Sequence, residues 1–70
     1  MRLNISKAKK ALFEADLSYA DFATRYGIHR SYLYNAFDGV AMPGRKFFGA
    51  WAKFCKDYNL DFLDFFIFED

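Results

Sequence analysis

Cysteine is nearly absent from this chain: Cys55 stands alone among 70 residues. One cysteine closes no internal disulfide, which suits a reducing compartment. Its helical neighbours are apolar, so the spacing predicts a buried thiol rather than a reactive one. Histidine is as scarce. His29 has no second histidine and no cysteine at ligand spacing, so no metal site is expected. The apolar runs fall short of the ~20 residues that span a membrane. The N-terminus lacks the apolar stretch of a signal peptide. No CxxC, no HExxH, no phosphate-binding glycine loop and no Ser-His-Asp spacing stands out. Asp61 and Asp64 sit at helical spacing, as a solvated helix start would place them. The expectation is therefore a protein without cofactor or enzymatic activity.

A strong charge of one sign is also missing, since the net is only +1. The distribution says more. Residues 1–56 hold all ten basic residues and four acids, a net of +6, while residues 57–70 hold five acids and no base, a net of −5. The basic part is suited to face phosphates and the acidic tail to point away. Aromatics are plentiful, with ten Phe and five Tyr. No disordered segment carries so many. They imply a dense core, or an apolar surface that a partner covers. Seventy residues make one small domain, 1–70.

Along the chain, residues 4–15 place Ile5, Ala8, Leu12 and Ala15 on one helical face, with Asn4 or Ser6 as cap. Phe13 falls off that stripe. Ser18 and Asp21 read as a capping box with Asp in place of Glu, and Leu17 and Phe22 stand at the staple positions around it. A second helix follows to about Tyr26. Gly27 suits a left-handed turn. A third helix is predicted over 30–38, with His29 at its N-cap and Gly39 as its stop. Phe22, Ala23, Tyr26, Ile28, Leu33, Ala36 and Phe37 supply the inner faces. Pro43-Gly44 marks a loop over 40–45. A fourth helix is predicted over 45–57, with Phe47 or Phe48, Trp51, Ala52, Phe54 and Cys55 apolar and Arg45, Lys46, Lys53 and Lys56 basic. A fifth is predicted over 60–66. The run Phe65-Phe66-Ile67-Phe68 fits a helical extension or a short strand equally.

Residues 17–39, LSYADFATRYGIHRSYLYNAFDG, resemble the helix-turn-helix of the lambda-repressor/Cro-like (Xre-type) family of DNA-binding domains. The likeness lies in Leu17-Ser18, the small Ala23, Gly27-Ile28 at the turn, Ser31-Tyr32-Leu33, and Phe37-Asp38-Gly39. It extends loosely to residue 66, where Leu60-Asp61-Phe62-Leu63 fits the family's fifth helix. The resemblance implies an all-α domain of five helices with its motif over 19–39. It places helix three in the major groove. Arg30 would then meet guanine O6 and N7, Asn35 would pair with adenine, and Ser31 would touch a base or a phosphate. Tyr34 would touch a thymine methyl, another base or the backbone, or nothing. Tyr19, His29, Tyr32, Arg45 and Lys46 would hold the sugar-phosphate backbone, with packing on a neighbour equally open to Tyr19 and plain helix capping to His29. Arg2, Lys7, Lys9 and Lys10 reach phosphates only if their end of helix one lies near DNA. Two departures stand out. His29 replaces the usual Ser, Thr or Asp cap, and Val40-Ala41-Met42 is less basic than the loop of many relatives.

The function expected on this resemblance is a sequence-specific transcriptional regulator, a Cro-like repressor that occludes a promoter as a homodimer on a palindromic operator. Tyr58, Phe62, Phe65, Phe66 and Phe68 form the expected dimer surface, within 58–68. Some of these residues would instead serve the protein's own core. The resemblance implies a cytoplasmic protein of bacterial or phage type. Two rivals remain. One is an antitoxin-like or anti-regulator interaction module that uses the aromatic C-terminal surface. The other is a DNA-architectural or recombination accessory protein. The opening Met1 and acidic end lead to the expectation of a complete small protein.

Overall fold

A computed structural model describes residues 2–39 and 44–68. The chain opens with strand β1 (Arg2–Leu3) and continues through four helices: α1 (Ile5–Glu14), α2 (Tyr19–Tyr26), α3 (Arg30–Phe37) and α4 (Arg45–Asp57). A 3-10 turn over Phe62–Phe65 leads into strand β2 (Phe66–Ile67). The two strands pair antiparallel, Arg2 with Ile67 and Leu3 with Phe66. The protein is thus mostly helical with a minimal sheet. The expected loop at Val40 to Pro43 lies outside the described residues.

Local chemistry sets the helix ends. Asn4 caps α1 by accepting the Lys7 N–H at 3.2 Å. Ser18 and Asp21 close a reciprocal capping box, with each side chain taking the other's backbone N–H at 3.0 and 3.2 Å. Past the end of α1, Leu17 N–H donates to the Leu12 carbonyl at 3.0 Å, with Asp16 left-handed at φ 57° between them. Past α4, Leu60 N–H donates to the Cys55 carbonyl at 2.8 Å, with Asn59 left-handed at φ 56°. Both ends are Schellman motifs, and both use Asp or Asn where glycine is usual.

Trp51 is the centre of the core. It is fully buried among Phe22, Phe37, Phe47, Phe54 and Phe65, with ring centroids 4.8–6.1 Å away. Each such ring removes from water an area that stabilises the fold by ~1.5–3 kcal/mol. Among the described residues the Trp51 Nε1–H finds no hydrogen-bond acceptor. Its aromatic neighbours offer only weak π faces.

The five-helix expectation is corrected at the C-terminus. Residues 60–66 do not form a fifth α-helix. Asp61 accepts the Leu63 N–H at 3.1 Å and closes a tight turn of one 3-10 helix. Phe66 then takes an extended conformation, φ −124° and ψ 143°. Two non-local demands explain this. The Phe65 carbonyl accepts the Asn4 N–H at 2.7 Å, and β2 supplies the backbone partners of β1. Phe65 at the end of the 3-10 turn and Phe66 at the start of the strand are both buried, each at 6% exposure.

Candidate nucleic-acid interface

The segment Ser18 to Gly39 presents two short helices joined by three residues. The capping box starts α2, and Gly27 ends it in the left-handed region at φ 70°, ψ 34°. Ile28 N–H donates back to the Ala23 carbonyl at 3.0 Å. His29 then takes extended backbone and caps α3, with its Nδ1 accepting the Ser31 N–H at 3.2 Å. Acceptance at Nδ1 requires a neutral ring with its proton on Nε2, so an imidazolium could not serve as this cap. The Ser31 hydroxyl lies 3.0 Å from the same nitrogen. The unusual cap therefore works, and it engages Ser31.

Leu33, Ala36 and Phe37 anchor α3 in the core, with 0–4% exposure. The opposite side carries Arg30, Ser31, Tyr34, Asn35 and Asp38, all exposed. At ~100° per residue they share one arc of about 140°. Among the described residues neither Arg30 nor Asn35 has an intramolecular hydrogen-bond partner for its side chain. Both forks are open to a ligand. Asp38 places a carboxylate at the C-terminal end of this arc, which the sequence reading had not weighed.

The residues expected to grip a backbone gather in part. His29, Tyr32 and Lys46 meet with Gly27, Ile28 and Ser31 around a shallow depression of about 420 Å³. Lys46 Nζ lies 5.7 Å from the centre of the Tyr32 ring, within cation–π range. This contact brings the first turn of α4 to the α2–α3 turn, and sequence spacing carries no trace of it. Arg45 is exposed beside Lys46. Gly44 gives α4 no side-chain cap.

Tyr19 stands apart from that group. It is half-buried, stacked on Phe37 at 5.1 Å and edge-on to Tyr34 at 5.2 Å. Burial raises the pKa of its hydroxyl above the ordinary value, and Asp38 and Tyr34 add to the effect.

The α1 lysines lie elsewhere. Lys7 Nζ donates to the Asp64 carbonyl at 3.3 Å, and Lys10 lies 3.9 Å from Glu14 in an exposed, weak pair. Both line a groove of about 490 Å³ floored by Ala11, Ala15, Phe54, Tyr58, Leu60 and Phe65. This groove is the larger depression, yet it shares no residue with the α3 arc. Arg2 lies in β1 and Lys9 is exposed on α1.

The C-terminal aromatics divide. Phe65 and Phe66 belong to the core, and Phe62 is half-buried against Phe66 at 4.8 Å. Tyr58 is 36% exposed, and its hydroxyl accepts Arg25 Nη1–H at 2.7 Å. Phe68 is 62% exposed. Two further exposed apolar residues, Phe13 at 85% and Leu63 at 58%, were not among the expected interface residues. Their only sequence signal is a large apolar side chain off the buried stripe.

Among the described residues no group of three or more His, Cys, Asp and Glu could hold a metal ion. No helix there is long and apolar enough to cross a membrane. Compared with family models, with curated proteins and with solved structures, the chain matches none.

Proposed function

We infer that this protein is a sequence-specific DNA-binding regulator of the helix-turn-helix type, which reads the major groove with α3. The observation that carries this reading is the division of α3. Its apolar side is locked in the core, while its outer arc offers Arg30 and Asn35 unpaired at the helix start and one turn on. Those side chains match the guanine and adenine edges of a major groove. The depression around His29, Tyr32 and Lys46 lies at the same end, where phosphates flank a docked helix. Bound this way, the protein represses by occluding a promoter, as a Cro-like protein does. A twofold dimer on a palindromic operator doubles the readout, with half-sites ~34 Å apart. The exposed Phe68 and Tyr58 are the aromatic residues left for its contact.

Selection of bound sequences from a random duplex pool tests the reading. A palindromic motif should emerge, and Arg30→Ala and Asn35→Ala should each degrade it at different positions. No enrichment at low salt would refute specific readout. A protein-interaction module is the second reading. It is favoured by one observation, the exposure of the large apolar side chains Phe13, Leu60, Leu63 and Phe68.

A further inference from the structure

Phosphate contact and packing on a neighbour were both open to Tyr19, and its ring packs on Phe37 and Tyr34. A chain of aromatic contacts runs from the core to the surface. Trp51 packs edge-on to Phe37 at 6.1 Å, Phe37 stacks on Tyr19 at 5.1 Å, and Tyr19 meets Tyr34 edge-on at 5.2 Å. The first two rings are buried in the core. Tyr19 is therefore clamped from below, and it in turn restricts Tyr34.

Tyr34 is 45% exposed on the outer arc of α3, one turn beyond Arg30 and beside Asn35. Among the described residues its hydroxyl has no hydrogen-bond partner. It is thus an oriented aromatic ring in the middle of a polar reading face. A ring held in one place loses little freedom on binding, which is why rigid aromatics make efficient contacts. The edges of bases in a major groove are hydrogen-bond donors and acceptors with one apolar exception, the C5-methyl group of thymine.

We propose that Tyr34 reads thymine, its ring pressing on the C5-methyl group of one base in each half-site, and that Tyr19 is the positioning residue that holds it there. The proposal rests on the reading of α3 as a major-groove helix. It goes further by choosing the methyl contact among those open to Tyr34 and by naming Tyr19 as the residue behind it.

The test uses the duplex enriched by selection. Each thymine is replaced in turn by deoxyuridine, which removes the methyl group and keeps the hydrogen-bonding edge. Affinity is measured by fluorescence polarisation. For the unaltered protein, one position per half-site should lose about fourfold, the worth of one buried methyl group. That penalty should vanish in Tyr34→Ala and remain in Tyr34→Phe. It should shrink in Tyr19→Ala and remain in Tyr19→Phe. The penalty is a ratio of two duplexes on one protein preparation, so partial unfolding of a variant cancels. A protein indifferent to every deoxyuridine, or a full penalty in Tyr34→Ala, overturns the thymine contact. A full penalty in Tyr19→Ala overturns the positioning role. A chain that enriches no duplex at all fails earlier, at the DNA-binding reading, and the thymine contact falls with it.

Discussion

The same substitution, glycine to alanine, should act in opposite directions at Gly27 and Gly49. Among the described residues, chain neighbours and the helix's own backbone aside, no atom lies within 4 Å of a Cβ built at either position, so steric overlap decides nothing. Backbone conformation decides it. Gly27 holds φ 70° at the turn between α2 and α3. That left-handed region costs an ordinary L-residue ~1–2 kcal/mol. The stiffer unfolded chain of alanine offsets ~0.4–1 kcal/mol of this. Gly27→Ala should therefore destabilise by about 0.5–1 kcal/mol. Gly49 lies inside α4 on an exposed face. There alanine is favoured over glycine by ~0.8–1 kcal/mol. The two variants should thus differ by about 1.5–2 kcal/mol, or roughly 6–16 °C in unfolding midpoint for a chain of this size. Trp51 is the only tryptophan and fully buried, so its emission reports unfolding by urea or heat. Changes of the same sign would refute the reasoning. So would a Gly27→Ala variant as stable as the unaltered protein, because the turn geometry would then be wrong.

Ser18→Ala removes half of the capping box and should cost ~1 kcal/mol in urea titration. Combined with Asp21→Ala it should cost less than the sum, and strict additivity would show that the reciprocal bonds do not form. Burial, with a smaller push from Asp61, raises the Cys55 thiol from 9.0 to about 11. The folded thiol keeps its proton longer than the unfolded one, so this contribution to stability is intact below pH 9 and is lost as pH rises towards 11. Thiol-reagent labelling of the folded protein at pH 8 should follow the rate of opening, and labelling as fast as a free thiol would refute the burial. Lys46→Ala should lower the slope of log Kd against log salt by ~0.9 on an enriched duplex, as one lost phosphate contact does. An unchanged slope would leave Lys46 as a packing partner of Tyr32 alone.

The helix starts and stops were readable one turn at a time. The capping box at Ser18 and Asp21, the left-handed Gly27 and the apolar spacing of α4 are decided by neighbours within about five residues. Such signals survive in sequence because the atoms that satisfy each other are close along the chain. His29 shows the limit of that kind of reading. Its position as N-cap was evident, but its bond to the Ser31 N–H needed coordinates.

What the sequence by itself determined is the order and extent of α1 to α4, the buried faces of Leu12, Phe22, Leu33 and Trp51, and the exposed arc of α3. The fate of Phe65–Phe68 was decided only in the folded protein. Whether that run became helix or strand depended on Arg2 and Leu3 more than 60 residues away, whose backbone needed partners. Likewise Lys46 meets Tyr32, and Tyr19 meets Tyr34, across helix contacts that no local spacing encodes. Hydrogen bonds within a turn follow from adjacent residue types. A contact between elements follows from how the helices pack around Trp51, and packing is a property of the whole chain.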